Sequence, residues 1–166
     1  MIELLFYFSL ILSVLLSSLV GGLLFGFAVV VMPGIAKLSD KKFLLSFKHM
    51  DEVIQNNQPL FMLVWVGSII AVISTAILEL LFSISNNIYL ILLASGLYLV
   101  GVQLPTIRSN IPLNNSLQAL DINTTELEEL AIFRKEFELS WNRWNKFRTI
   151  GAFLSVSTWL MLLFIL

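Results

Sequence analysis

The chain has no cysteine and a single histidine among its 166 residues. Without cysteine there is no disulfide framework, no thiolate metal site and no thiol nucleophile. One histidine cannot supply a bis-histidine haem, and with no carboxylate cluster around it the donor set for a metal ion is too poor. No glycine-rich phosphate loop and no nucleophile motif is present. Charge is scarce as well: Asp, Glu, Lys and Arg make up 13 % of the chain, against about 25 % in an ordinary soluble domain.

What fills the chain instead is apolar, 58 % of it. Four runs, residues 2–32, 59–82, 88–104 and 149–166, approach or exceed the roughly 17–25 residues that a membrane-crossing helix needs. The first run lacks a basic leader and is longer than the roughly 7–15 residues of a signal h-region, so it reads as a retained span. The whole chain thus reads as one all-α domain: an integral membrane four-helix bundle with cytoplasmic helical extensions.

All ten basic residues fall in two stretches. Lys37, Lys41, Lys42 and Lys48 form one; Arg108, Arg134, Lys135, Arg143, Lys146 and Arg148 form the other. Four crossings put segments 33–58 and 105–148 on one face, with both termini and the Asn86–Asn87 turn on the other. Lys and Arg in short loops stay cytoplasmic. The charged face is therefore expected in the cytoplasm, the termini outside, and the chain in the plasma (inner) membrane. Its partners are then membrane lipids rather than nucleic acid, because the near-neutral net charge hides topology and not a polyanion-binding surface.

Small residues recur at helical spacing: Ser18, Gly22 and Gly26; Gly67, Ala71 and Thr75; Gly151 and Ser155. Such stripes let helices approach closely in lipid, and a homo-oligomer seam or the wall of a flat ligand site are the alternatives. Ser85–Asn87 is long enough only for an antiparallel hairpin, and Glu79 just before it reads as an interfacial carboxylate facing headgroups. Pro33–Gly34 should end or kink the first helix, and Asp40 should cap the next. Phe43, Phe47, Met50 and Ile54 give that helix an apolar face, suited to the membrane surface or to an extension of the second span. Pro105 should open a loop through Asn110–Asn115. Thr125 and Glu128 match a capping box, from which one long helix can run through the fourth span, with Leu130, Phe133, Phe137, Trp141 and Trp144 as its apolar stripe.

Amides crowd the charged side. Gln55, Asn57 and Gln58 precede Pro59; Asn114 and Asn115 follow Pro112; Asn142 and Asn145 flank Trp144. Trp141, Asn145 and Arg148 share one helical strip by their i, i+4, i+7 spacing. That strip can build a pocket for a planar, polar-aromatic molecule. It can equally tie loops to the bundle, since buried amides need hydrogen bonds in any case. The tryptophans also suit an interfacial belt, and the arginines can snorkel to phosphates. His49 has a reference pKa suited to general base work, set against the plainer reading of a solvated interfacial side chain.

Four strings in order carry a resemblance: Val31 to Gly34 (VMPG), Ile54 to Phe61 (IQNNQPLF), Ile111 to Asn115 (IPLNN) and Trp141 to Thr149 (WNRWNKFRT). Together they resemble the anthrone oxygenase-like family of small four-span membrane proteins, over nearly the whole chain. The resemblance implies cofactor-independent oxygenation of a lipophilic anthrone, quinol or related aromatic molecule. Such chemistry needs a base, an oxyanion donor and an apolar pocket that admits O2. Under this implication Arg148, Asn145 and Asn114 hold the oxyanion, Trp141 stacks on a ring, and the base is sought among His49, Asp51 and Glu52. The expected site is then His49 and Arg148 as catalytic groups, with Gln55, Asn57, Gln58, Asn114, Asn115, Trp141 and Asn145 around the substrate. The rival is a non-enzymatic protein that binds a lipid, quinone or partner chain with the same residues. A transporter ranks third, since the spans carry almost no buried charge.

Overall fold

A computed structural model describes residues 1–166 as five helices with no strand. They are α1 (Ile2–Ile35), α2 (Asp40–Gln55), α3 (Pro59–Phe82), α4 (Ile88–Ala119) and α5 (Leu127–Ile165). Helices α1, α3, α4 and α5 are long and apolar enough to cross a membrane, and α2 is not. The 39 residues of α5 extend about 58 Å, close to twice the roughly 30 Å of a hydrocarbon core.

The four long helices close into a ring in the order α1, α3, α4, α5. Their shared core includes Phe6, Leu10, Val72, Ile91, Tyr98 and Trp159, all fully buried or nearly so. The outward faces are apolar too, with Ile70, Leu81 and Phe164 exposed, as lipid contact requires. At the charged end α2 takes the place of α3. There Phe43 and Phe47 of α2 pack with Met32 of α1, Leu117 of α4, and Leu130 and Phe137 of α5. These side chains form a second core, distinct from that of the spans, and α2 leans on α4 and α5 instead of prolonging α3.

Three of the four prolines sit inside helices, and each follows a π-helical turn by two residues. Turn Phe27–Val31 precedes Pro33, Leu99–Gln103 precedes Pro105, and Thr106–Asn110 precedes Pro112. A proline removes one helical hydrogen bond and its ring crowds the carbonyl of the preceding turn. An extra residue in that turn moves the carbonyl aside, so the helix continues. Helix α1 stops at Ile35, one residue past Pro33–Gly34, whereas the loop expected across Asn110–Asn115 is helix up to Ala119.

Close packing follows the small residues in part. A Cβ on Gly151 would lie 3.0 Å from the Gly101 carbonyl oxygen, and one on Gly21 would lie 3.3 Å from the Ala152 Cβ. Ala71 and Thr75 are buried between α3 and α1. Gly22 and Gly26, by contrast, face open space; the buried stripe of α1 runs instead through Ser13, Ser17 and Gly21. Hydroxyl bonds link the spans: Ser13 with Thr75 at 3.0 Å, Ser68 with Tyr98 at 2.6 Å, and Ser155 to the Ala94 carbonyl at 2.8 Å. Hydrogen bonds of this kind supplement packing where lipid offers no hydrophobic drive.

The helix ends are held by other groups than those expected. Glu79 is buried, 1 % exposed, and its Oε2 accepts the Ser85 backbone N–H at 2.9 Å. It closes the α3–α4 turn, whose Ser83 and Asn86 are left-handed with φ of 47° and 56°, because a buried turn N–H needs an acceptor. Asp40 does not cap α2 but pairs with Arg134 at 2.8 Å. Arg134 also donates to the Ala36 and Leu38 carbonyls, each at 2.8 Å, and so satisfies the end of α1. Thr125 forms no capping box; its hydroxyl donates to the Asp121 carbonyl at 2.6 Å, and α5 starts after Glu126. The local hydroxyl–carbonyl bond wins there over the cap.

Candidate functional site

Where α2 replaces α3 in the ring, the helices leave a cavity of about 270 Å³. That is close to the lower end of the roughly 300–1,000 Å³ typical of small-molecule sites. All five helices wall it. Leu24 and Phe27 come from α1, Phe47 and Asp51 from α2, and Phe61 and Trp65 from α3. Helix α4 contributes Thr106, Asn110 and Asn114, and α5 contributes Trp141, Asn145 and Arg148. Helix α3 packs on α4 along Ile88–Tyr98; past that level the cavity lies between Trp65 and Thr106.

The walls are flat and aromatic. Phe61 and Trp65 stack at 5.3 Å with planes 19° apart. The Trp141 indole meets the Phe47 ring edge to face at 5.1 Å and the Phe27 ring at 5.6 Å. Aromatic contacts of this kind stiffen the wall beyond the area they bury.

Two ionisable side chains stand in this hollow. Asp51 is 5 % exposed. Its Oδ1 accepts Asn114 Nδ2 at 2.6 Å, and its Oδ2 accepts Gln55 Nε2 at 2.8 Å and Gln118 Nε2 at 2.9 Å. Gln118 Nε2 also reaches the Lys48 carbonyl at 3.0 Å, while Lys48 Nζ donates to the Gln118 and Leu120 carbonyls at the end of α4. The Asn114 Oδ1 in turn accepts the Trp141 indole N–H at 2.9 Å. One chain of bonds thus joins α2, α4 and α5 and fixes both the carboxylate and the indole.

The second group is Arg148, 4 % exposed and without an ion-pair partner. It donates to Thr106 Oγ1 at 3.0 Å and to Asn145 Oδ1 at 2.9 Å, and its Nε has no partner. Its guanidinium carbon lies 5.7 Å from the Trp141 ring centre. Asn145 is itself anchored, with Nδ2 donating to the Leu24 carbonyl of α1 at 3.0 Å. Asn110 is buried nearby, its Oδ1 unpartnered.

Of the residues expected at the site, Asn114, Trp141, Asn145 and Arg148 meet at the cavity. Gln55 sits one step behind, bridging Asp51 to Asn115 Oδ1 at 3.2 Å. Gln58 caps α3, its Oε1 accepting the Phe61 N–H at 2.5 Å. Asn57 makes the turn before it with φ of 57°. His49 lies outside: its side chain is 73 % exposed and 3.6 Å from Glu52. Of the three residues considered for the base, only Asp51 faces the cavity.

From the sequence Asp51 is one of three candidate bases, and Thr106 is not expected at the cavity. The signal for Asp51 was present, since it continues the i, i+4 series of Phe43 and Phe47 on the buried face of α2. A polar residue on an apolar stripe marks a buried partner. Thr106 carries no such signal, because a segment read as a loop has no face.

Comparison with known proteins gives one family. The family model described as anthrone oxygenase matches residues 59–158, which takes in Trp65, Asn114, Trp141, Asn145 and Arg148 but not Asp51. No curated protein and no solved structure matches the chain.

Proposed function

The chain belongs to the anthrone oxygenase family, and on that premise we propose that it oxygenates a planar, lipophilic aromatic ketone or quinol held in the cavity among its five helices. The observation that carries this reading is Arg148. A guanidinium buried without a counter-charge is costly, and an oxyanion developing on a bound aromatic offsets that cost. The flat walls formed by Trp65 and Trp141 suit fused rings, and the apolar lining suits O2. We further place the charged end in the cytoplasm of the plasma membrane, since the uncharged end carries no Lys or Arg.

For an anthrone-type substrate, Asp51 takes a proton from the ring methylene, and the electron pair delocalises onto the ketone oxygen beside Arg148. Asn145 and Thr106 hold the guanidinium in place for that charge. The electron-rich carbon then passes an electron to O2, and the resulting pair combines to a peroxide that regains the first proton. Loss of the second ring proton with hydroxide, as water, leaves a new carbonyl. Overall a CH2 group and O2 become C=O and H2O, so no external reductant is consumed; a hydroquinone would instead give its quinone and H2O2.

The test is O2 uptake by the purified protein in nanodiscs, with an anthrone and a hydroquinone as substrates. Uptake with matching growth of quinone absorbance is expected, lowered about 100-fold or more by Arg148→Ala or Asp51→Asn, the scale of a lost acid–base or oxyanion group. No acceleration with either substrate overturns the oxygenase reading. Quenching of tryptophan fluorescence by the aromatic without O2 uptake would make the chain a binding protein instead.

A further inference from the structure

A second hollow lies on the outer side of the α1–α5 seam, across from the cavity. It measures about 570 Å³ and grades from apolar to polar along the helices. Phe25, Val29, Ile150 and Phe153 line the end toward the span, and Asn142, Lys146 and Glu138 the end toward the charged extension, with the Glu138 carboxylate already paired to Arg134 at 3.1 Å. The rings of Phe25 and Phe153 meet edge to face at 5.7 Å. A smaller hollow of about 160 Å³, bordered by Gly21, Gly22 and Val156, shares Phe153 and carries the groove further along the same seam.

We propose that this groove binds one glycerophospholipid, with its phosphate on Lys146 and Asn142 and one acyl chain running past Phe153 toward Gly22. Two independent features point to that occupant. The first is length. From Lys146 to Val156 the helix rises about 15 Å, which is half of a roughly 30 Å hydrocarbon core and therefore one leaflet. The second is charge. Lys146 makes no ion pair, and its side chain leans toward the N-terminal end of α5, where Asn142 sits one turn away. Asn142 has no side-chain hydrogen bond in the fold, so a cation and an amide donor stand free at headgroup depth. Below them Gly22 leaves open space where any larger residue would fill the groove. The groove and the cavity share one wall, held by the bond from Asn145 to the Leu24 carbonyl.

The experiment is native mass spectrometry of the full chain released from nanodiscs of palmitoyl-oleoyl phosphatidylglycerol and phosphatidylethanolamine. One retained phospholipid per chain is expected. Lys146→Glu should lower retention about fivefold or more, from the loss of one basic contact with phosphate. Gly22→Leu should displace the acyl chain and also lower retention while leaving Lys146 intact. Both positions face open surroundings, and unchanged melting curves confirm that each variant is folded. Equal retention by both variants overturns the proposal. Equal retention of diacylglycerol in matched nanodiscs overturns the phosphate half. Displacement of the lipid by inorganic phosphate, with Gly22→Leu silent, would make this a free phosphate site and overturn the lipid.

Discussion

Asn114 donates to Asp51 across 2.6 Å and accepts from Trp141 across 2.9 Å. One amide therefore links the carboxylate of the cavity to its principal aromatic wall. The Trp141 indole has no other hydrogen-bond partner, and the Asp51 Oδ1 has no other donor, Gln118 of α4 serving Oδ2 instead.

Removing the amide should loosen both. Asn114→Leu leaves a buried indole N–H and a carboxylate oxygen without a partner, each at a cost of about 1–3 kcal/mol. A melting temperature lower by roughly 4–24 °C is expected, at about 2–4 °C per kcal/mol for a chain of this size. A melt indistinguishable from the parent would show that the bond is not formed in the membrane.

Arg148 should behave in the opposite way. Arg148→Met abolishes a buried unpaired charge, a relief of several kcal/mol, and forfeits two hydrogen bonds of about 1–3 kcal/mol each. These offset, so the melting temperature should stay near that of the parent while turnover of an anthrone is lost. A large drop in thermal stability would identify Arg148 as a structural residue and not as a ligand-binding one.

Two acidic or basic candidates in α2 separate cleanly by kinetics. His49→Ala should leave kcat/KM and its pH profile unchanged, since the imidazole is 73 % exposed and does not line the cavity. Asp51→Asn keeps the volume and should lower kcat by about 10²–10⁴-fold, the range of a lost general base. Activity that followed His49 instead would move the reacting centre to the surface.

Two glycines on neighbouring helices should respond differently to the same methyl group. In Gly151→Ala the new Cβ would lie 3.0–3.1 Å from the Gly101 backbone, and overpacking of this sort costs about 1–3 kcal/mol. In Gly22→Ala it would meet nothing within 4 Å and should be silent. Thermal melts of the two variants in one detergent decide the matter.

Much of the architecture is legible in the chain because its causes are local. Each apolar run becomes a helix since no other backbone arrangement satisfies its own hydrogen bonds in lipid. The stretch from Leu127 to Ile165 is uninterrupted by proline, and its single glycine, Gly151, lies against the Gly101 backbone of α4. Trp141, Asn145 and Arg148 belong together because one helix spaces them. Pro105 and Pro112 point to a loop that α4 does not have, because a π turn of one extra residue is a local repair that composition does not announce.

Sequence alone therefore determined the four membrane-length helices, the charged end and one strip of the site, all matters of spacing along a single helix. Only the tertiary structure decided that α2 displaces α3 at the charged end. That exchange opens the cavity, turns Asp51 inward to meet Asn114, and leaves His49 in the open. The contact between Asp51 and Asn114 spans 63 positions in the chain, and no periodicity within either helix contains it.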